Sequence, residues 1–300
     1  MSGPGGGTAA PGSRAHGIEL VGYTEAAGSP VFKLALQVVG DRWYLYATHF
    51  WEPRISVLDV TDPAAVRAAV EGVDVVLNTA AWTDVDGAES AEEAATAVNA
   101  HAVGNLAEAA GKRLIHLSTD YVFAGTATTP YPEDATRAPV NAYGRGKALG
   151  EQAVLAAGGS VVRTAWLYGA HGPNFVRTML RLAAERDTLE VVDDQQGPPT
   201  WSYALAQQLV ALAGAEGAPP GVYHGTAAGS TTWYGLARAV FAEAGLDPAR
   251  VRPTTSDRFP RPARRPAYSV LAHDRWAGTG VAPLPDWRTQ LTEAMPALLR

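Results

Sequence analysis

The stretch ISVLDVTDPAAVRAAVEGVDVVLN, residues 55–78, is the one that decides the fold class. A short β-branched run leads to Asp62, a side-chain acceptor for the free N–H groups of a helix start. Pro63 follows, and its missing N–H costs nothing at the first helical position. Gly72 can close that helix in the left-handed conformation, after which VDVVLN reads as a strand. Capped helices alternating with β-branched runs predict βαβ units and a parallel sheet.

The alternation continues outward from this stretch. Ser90 with Glu93 predicts a capping box for a helix running to Ala110, stopped by Gly111, and RLIHLS at 113–118 predicts a buried strand. A helix carrying Tyr143 comes next, then a strand SVVRT, a helix from Asn174, a strand LEVVDD, a helix after Pro199, a strand GVYHG and a helix from Thr231. Beyond Trp166 the connections lengthen and gain prolines. The expectation is an α/β chain, a doubly wound parallel sheet over residues 17–165 with a smaller, mainly substrate-binding lobe over 166–300. Residues 1–16, rich in Gly, Pro and Ala, bury too little to offset their ordering entropy and are predicted to be a disordered tail.

Composition narrows the function classes. A formal net charge of -6 disfavours a nucleic-acid surface, and 47% hydrophobic residues fit a folded core. With no cysteine, thiolate metal sites and disulfides are ruled out, and a reducing, cytoplasmic setting is the default. No apolar run approaches the roughly 18 residues of a membrane span, and no signal-peptide core opens the chain. The seven histidines sit singly, so no metal is assigned; His101, His116 and His224 read as packed or surface imidazoles.

The chemistry is carried by NAYGRGKALGE, residues 141–151. Tyr143 and Lys147 lie four apart on one helical face, and the chain has only three lysines. An ammonium beside a phenol would lower its pKa toward the working range, making an acid or base of it. A pair of solvated residues on one helical turn is the alternative. HLSTDYVFAG, residues 116–125, adds the hydroxyls of Ser118 and Thr119 just beyond a buried strand, where open parallel sheets bind ligands. Turn or cap roles for Thr119 and Asp120 stay open beside that one.

These blocks resemble the dTDP-4-dehydrorhamnose reductase family of extended short-chain dehydrogenase/reductases over about residues 55–300. The resemblance rests on LDVTDPAAVRAAV (58–70), NTAAWTDVDGAE (78–89), STDYVFAG, APVNAYGRGKALGE, VVRTAWLYG (161–169), NFVRTMLRLA, DQQGPPT (194–200), STTWYGLA and RPARRP (261–266). It implies a Rossmann-type fold and NADPH-dependent reduction of a dTDP-4-keto-6-deoxysugar, of the kind used in dTDP-rhamnose biosynthesis, with NADH as the other cofactor open to it. Tyr143 would protonate the C4 oxygen, Lys147 would tune Tyr143 and hold the cofactor ribose, and Thr119 would orient the ketone. Asp59, Ala80 and Ala81 would line the dinucleotide. Ser118, Trp166, Gln195, Thr200, Arg264 and Arg265 would face the sugar nucleotide. Trp166 is equally readable as a core aromatic, Thr200 as a helix cap, and the arginines as a solvated loop. A homodimer is one assembly open to such a chain.

One segment departs from the family. A reductase of this kind opens with a strand, a Gly-x-x-Gly-x-x-Gly turn and a helix, whereas residues 17–63 offer Gly22 and Gly28 at the wrong spacing, with Pro30 after them. DRWYLYATHF reads as a strand and KLALQVV as a substitute for the lost first strand, so the segment looks more like the opening of a β-propeller repeat. Two further readings of the chain follow: a non-catalytic nucleotide-binding regulatory subunit of the same fold, or an inactive reductase lacking its glycine loop.

Overall fold

The computed structural model describes residues 35–39, 42–48 and 55–299, with side chains from Val60 to Leu299. The predicted tail and the mismatched glycines lie outside the described residues.

Strands β1 (Ala35–Val39), β2 (Arg42–Thr48) and β3 (Ile55–Asp59) form an antiparallel sheet in the order β1-β2-β3. DRWYLYATHF does yield a strand. KLALQVV yields one too, but it pairs with β2 instead of joining the parallel sheet, which corrects its expected role as a substitute first strand. Even β3, cut from the family-like LDVTDP block, is held antiparallel by β2, with Leu45 opposite Leu58.

From α1 (Pro63–Val70) onward the βαβ expectation holds. Asp62 accepts from the N–H of Ala64 at 2.8 Å, and Gly72 takes φ +70° beyond the helix end. Strand β4 (Val76–Asn78) leads to α2 (Gly87–Ser90), α3 (Glu92–Thr96), a π-helical turn (Ala97–His101) and α4 (Ala102–Ala110). The predicted capping box does not form: the Ser90 hydroxyl donates back to the Gly87 carbonyl, because Ser90 ends one helix instead of starting the next. Then come β5 (Leu114–Thr119), α5 (Ala142–Ala156) and β6 (Ser160–Thr164).

The later elements are β7 (Leu167–Tyr168), α6 (Phe175–Glu185), β8 (Leu189–Val192), β9 (Gln196–Gly197), β10 (Thr200–Trp201), α7 (Ser202–Ala213), β11 (Val222–His224), β12 (Thr231–Thr232), α8 (Trp233–Glu243), β13 (Val251–Thr254) and α9 (Trp287–Leu298). The parallel sheet runs β11-β6-β5-β4, with Asn78 beside His116 and Thr119 beside Thr164. One face packs Leu114 and Val161 under Val66, Val103, Leu106 and Val154; the other packs Ile115 and Val162 under Leu205, Leu209, Tyr223 and Trp276. Helices on both faces make it doubly wound. A separate core of Tyr168, Met179, Leu189, Leu236, Val240, Phe241, Leu291 and Met295 builds the second lobe.

Alternation along β5 fixes the site. His116 and Ser118 share the face of Leu114, toward α5. Helix α5 can lie close because it is glycine-lined: a Cβ on Gly144 would sit 2.2 Å from the Tyr121 carbonyl oxygen, and one on Gly150 would sit 2.3 Å from that of Asn99. Gly150→Ala must therefore push α5 off the π-helical turn, and a loss of about 1–3 kcal/mol of stability is expected in chemical denaturation.

Candidate active site

Four elements converge at the carboxyl end of the parallel sheet. Thr119 is the last residue of β5; its Oγ1 accepts from the N–H of Tyr121 at 3.2 Å and donates to Asp120 Oδ1 at 3.0 Å. The Thr119 side chain is also near enough to the Tyr143 phenol to favour its ionised form. Asn141 caps α5 by accepting from the N–H of Gly144 at 2.8 Å, and its amide donates to the Arg264 carbonyl at 2.8 Å, tying the helix start to the RPARRP loop.

Tyr143 is half-buried, and burial pushes its phenol up to about 12, with the Thr119 hydrogen bond pulling the other way and the Asp120 carboxyl adding to the rise. This corrects the expectation that Lys147 lowers it. The ammonium position of Lys147 is drawn instead to the Leu117 carbonyl at 2.7 Å and to Nε2 of His116 at 3.1 Å, deep on the α5 face of the strand. Burial drives Lys147 itself down to about 8. The Tyr143 phenol is thus held in its protonated form, the form from which a proton is given to a ketone oxygen.

Asp120 is 2% exposed, its Oδ2 has no partner, and burial raises its carboxyl to about 6. A folded-state value above the unfolded 3.8 means the neutral acid is the favoured buried form. Its ionisation opposes folding increasingly as pH climbs through that interval, by about 2–3 kcal/mol once both values are passed. Asp120→Asn removes this dependence, so the variant should gain in Tm over the parent at pH 8 and not at pH 4, as read by thermal denaturation.

The remaining predicted residues divide. Ala80 and Ala81 follow β4 and offer only methyl groups, and Asn99 holds the next peptide by accepting from the N–H of Trp82 at 3.0 Å and donating to its carbonyl at 3.1 Å. Asp59's side chain lies outside the described residues. Trp166 adopts φ 49°, in the left-handed region, and stacks on Trp233 at 3.5 Å; Gln195 accepts from the Trp233 indole at 3.1 Å. These aromatics form one wall of the second lobe.

Three predicted substrate contacts are already engaged elsewhere. Ser118 turns inward and donates to Glu151 at 2.6 Å, as its position two residues after His116 on the α5 face dictates. Thr200 is fully buried, donating to the Pro198 carbonyl and accepting from Ala227, and it does not cap α7, whose start lies two residues later. Arg265 grips Asp86 with both Nη atoms, at 2.8 and 3.0 Å, while Arg264 is exposed.

Asn78, Asn99 and Glu151 were not picked from sequence, His116 was read only as a packed or surface imidazole, and Asp120 only as a turn residue. The π-helical turn under Asn99 gave no periodic signal, and Glu151 ended a block whose motif seemed to stop at Lys147. Among the described residues no cluster of His, Asp and Glu is placed to hold a metal, and no helix is long and apolar enough to cross a membrane.

Comparison with known proteins agrees with this geometry. The model of the RmlD substrate binding domain family matches residues 23–300, and so begins inside the stretch read as foreign. A probable dTDP-4,6-dihydroxy-2-methyloxan-3-one 4-ketoreductase of Streptomyces antibioticus is 54% identical over 253 residues, covering 81% of this chain and 84% of that protein. The dTDP-4-dehydrorhamnose reductase of Streptomyces griseus is 53% identical, covering 80% and 83%. Among solved structures, the dTDP-4-dehydrorhamnose reductase of Bacillus anthracis in complex with NADP superposes with a TM-score of 0.75 at 35% identity, covering 80% of this chain and 86% of that one. A match across nearly the whole length, joined to the hydroxyl, phenol and lysine at the end of a doubly wound sheet, makes this chain a member of the RmlD substrate binding domain family.

Proposed function

We propose that the protein reduces the C4 ketone of a dTDP-4-keto-6-deoxysugar with NADPH. The observation that carries this reading is the Tyr143 phenol, kept protonated by burial and set beside the Thr119 side chain at the ligand-binding end of the sheet. NADPH, when bound, supplies the hydride. Ala80, Ala81, Tyr143 and Lys147 would hold it. Tyr143 gives its O–H proton to the ketone oxygen. Thr119 positions that oxygen, and its own proton becomes available when Asp120 is in its neutral form. The Trp166–Trp233 wall offers flat apolar surface to the sugar nucleotide, and Arg264 an uncommitted guanidinium to its diphosphate. A cytoplasmic location and a homodimer belong to the same proposal, to be read by cell fractionation and light scattering.

One observation favours a second reading, an idle reductase. Among the described residues β4 is the edge of the parallel sheet, where a first strand with a phosphate-binding turn would pair. Titration with NADPH, following cofactor fluorescence and tryptophan quenching, separates the two. Saturation at micromolar levels is expected; no binding up to millimolar cofactor by a folded chain would leave the site without its hydride source.

A further inference from the structure

Lys147 ends a hydrogen-bond chain whose direction is fixed at the other end. The N–H of Ala80 donates to Asn78 Oδ1 at 3.1 Å, which orients the amide and makes its Nδ2 the donor toward Nδ1 of His116 at 2.8 Å. With Nδ1 accepting, a neutral imidazole carries its proton on Nε2, and Nε2 faces Nζ of Lys147 at 3.1 Å. An N–H aimed at a nitrogen needs a lone pair there, and an ammonium has none. The links agree in direction only when Lys147 is an amine that accepts from His116 and donates to Leu117.

The surroundings agree. Lys147 is 2% exposed, and the titratable and charged groups facing it are few. On β5 there is His116, held neutral by burial. On its own helix there are the Tyr143 phenol and Glu151, whose carboxylate is already taken by Arg163 at 2.9 and 2.8 Å, by Arg137 at 3.3 Å and by Ser118. Arg163, on β6, adds a positive charge. No carboxylate is left over for a lysine cation.

We infer that Asn78 and His116 are positioning residues that set the charge on Lys147 through the direction of this chain. For Lys147 to become an ammonium, His116 must shift its proton to Nδ1 and the Asn78 amide must turn over, releasing the Ala80 N–H. The charge on Lys147 is thus coupled to a peptide on the strand end that lines the proposed cofactor site. The inference rests on the reductase reading only for its consequence in catalysis.

Nuclear magnetic resonance tests it directly. With 13Cε-labelled lysine the chain has only three signals, Lys147 being assigned by its loss in Lys147→Met. Nitrogen–proton correlation reports the His116 tautomer, assigned by loss of its signals in His116→Phe. At about pH 10, where Lys147 is an amine, His116 should show the Nε2–H tautomer, switching to Nδ1–H without becoming imidazolium as Lys147 titrates. Asn78→Ala frees Nδ1 to carry the proton and should raise the Lys147 titration by about one pH unit or more, carrying with it the matching limb of the kcat/KM profile. An Nδ1–H tautomer at high pH, or a lysine titration unmoved by Asn78→Ala, overturns the inference. Should that variant not fold, the parent's tautomer at the two pH extremes decides. Neither spectrum needs substrate, so a chain without reductase activity would still answer.

Discussion

Tyr143→Phe should lower the rate of ketone reduction by about a thousandfold while leaving NADPH affinity within a few-fold of the parent, because the phenol is the group placed to give a proton. Losing one hydroxyl from a half-buried ring leaves the packing of α5 intact, since Gly144, Gly146 and Gly150, not Tyr143, make the close approaches to neighbouring backbone and side chains. The loss should appear in kcat and kcat/KM together, as expected for an interaction used only in the transition state. Single-turnover kinetics with a dTDP-4-keto-6-deoxysugar is the measurement. A variant that retained parental kcat would remove Tyr143 from the acid role and turn attention to Asp120.

Glu151→Gln is the substitution with the largest expected effect on stability. Glu151 is wholly buried and its carboxylate receives two bonds from Arg163, one from Arg137 and one from the Ser118 hydroxyl. The amide keeps the shape but strips the charge that two guanidiniums are desolvated against, which costs about 3–5 kcal/mol. For a domain of this size that is about 10 °C in Tm. Calorimetry of the variant reads it directly. Pairing Glu151→Met with Arg163→Met should restore part of the loss, since the orphaned cation is then gone. No recovery would point to packing, not charge, as the origin.

Periodicity and caps made much of the fold legible before any coordinates. SVVRT became β6 over Ser160–Thr164, Asp62 and Pro63 opened α1, and Asn174 capped α6. The failures have separate physical causes. Ser90 and Glu93 matched a local cap pattern, but two short helices meeting at Ala91 used Ser90 as an ending. The conversion of the α3–α4 helix to a π turn, which turns Asn99 onto Trp82, has no sequence period of its own. At the site, Thr119, Tyr143 and Lys147 could be proposed together because their spacing follows one strand end and one helical face. The inward partners of Ser118 and Thr200 were not legible because composition cannot say which side of a strand a hydroxyl takes. The Arg265 ion pair was hidden for another reason: its partner Asp86 lies far off in sequence.

The return of the chain from the second lobe to the first sheet limits how this protein can be recombined. After building part of the lobe core with α6 and β8, the chain goes back to lay α7 and β11 on the parallel sheet, where Leu205, Leu209 and Tyr223 cover Ile115 and Val162. A chimera joined at residue 165 would therefore carry a foreign edge strand and a foreign covering helix onto its own sheet. Exchanging substrate specificity between relatives calls for a crossover that keeps the segment from Ser202 to His224 with the amino-terminal half.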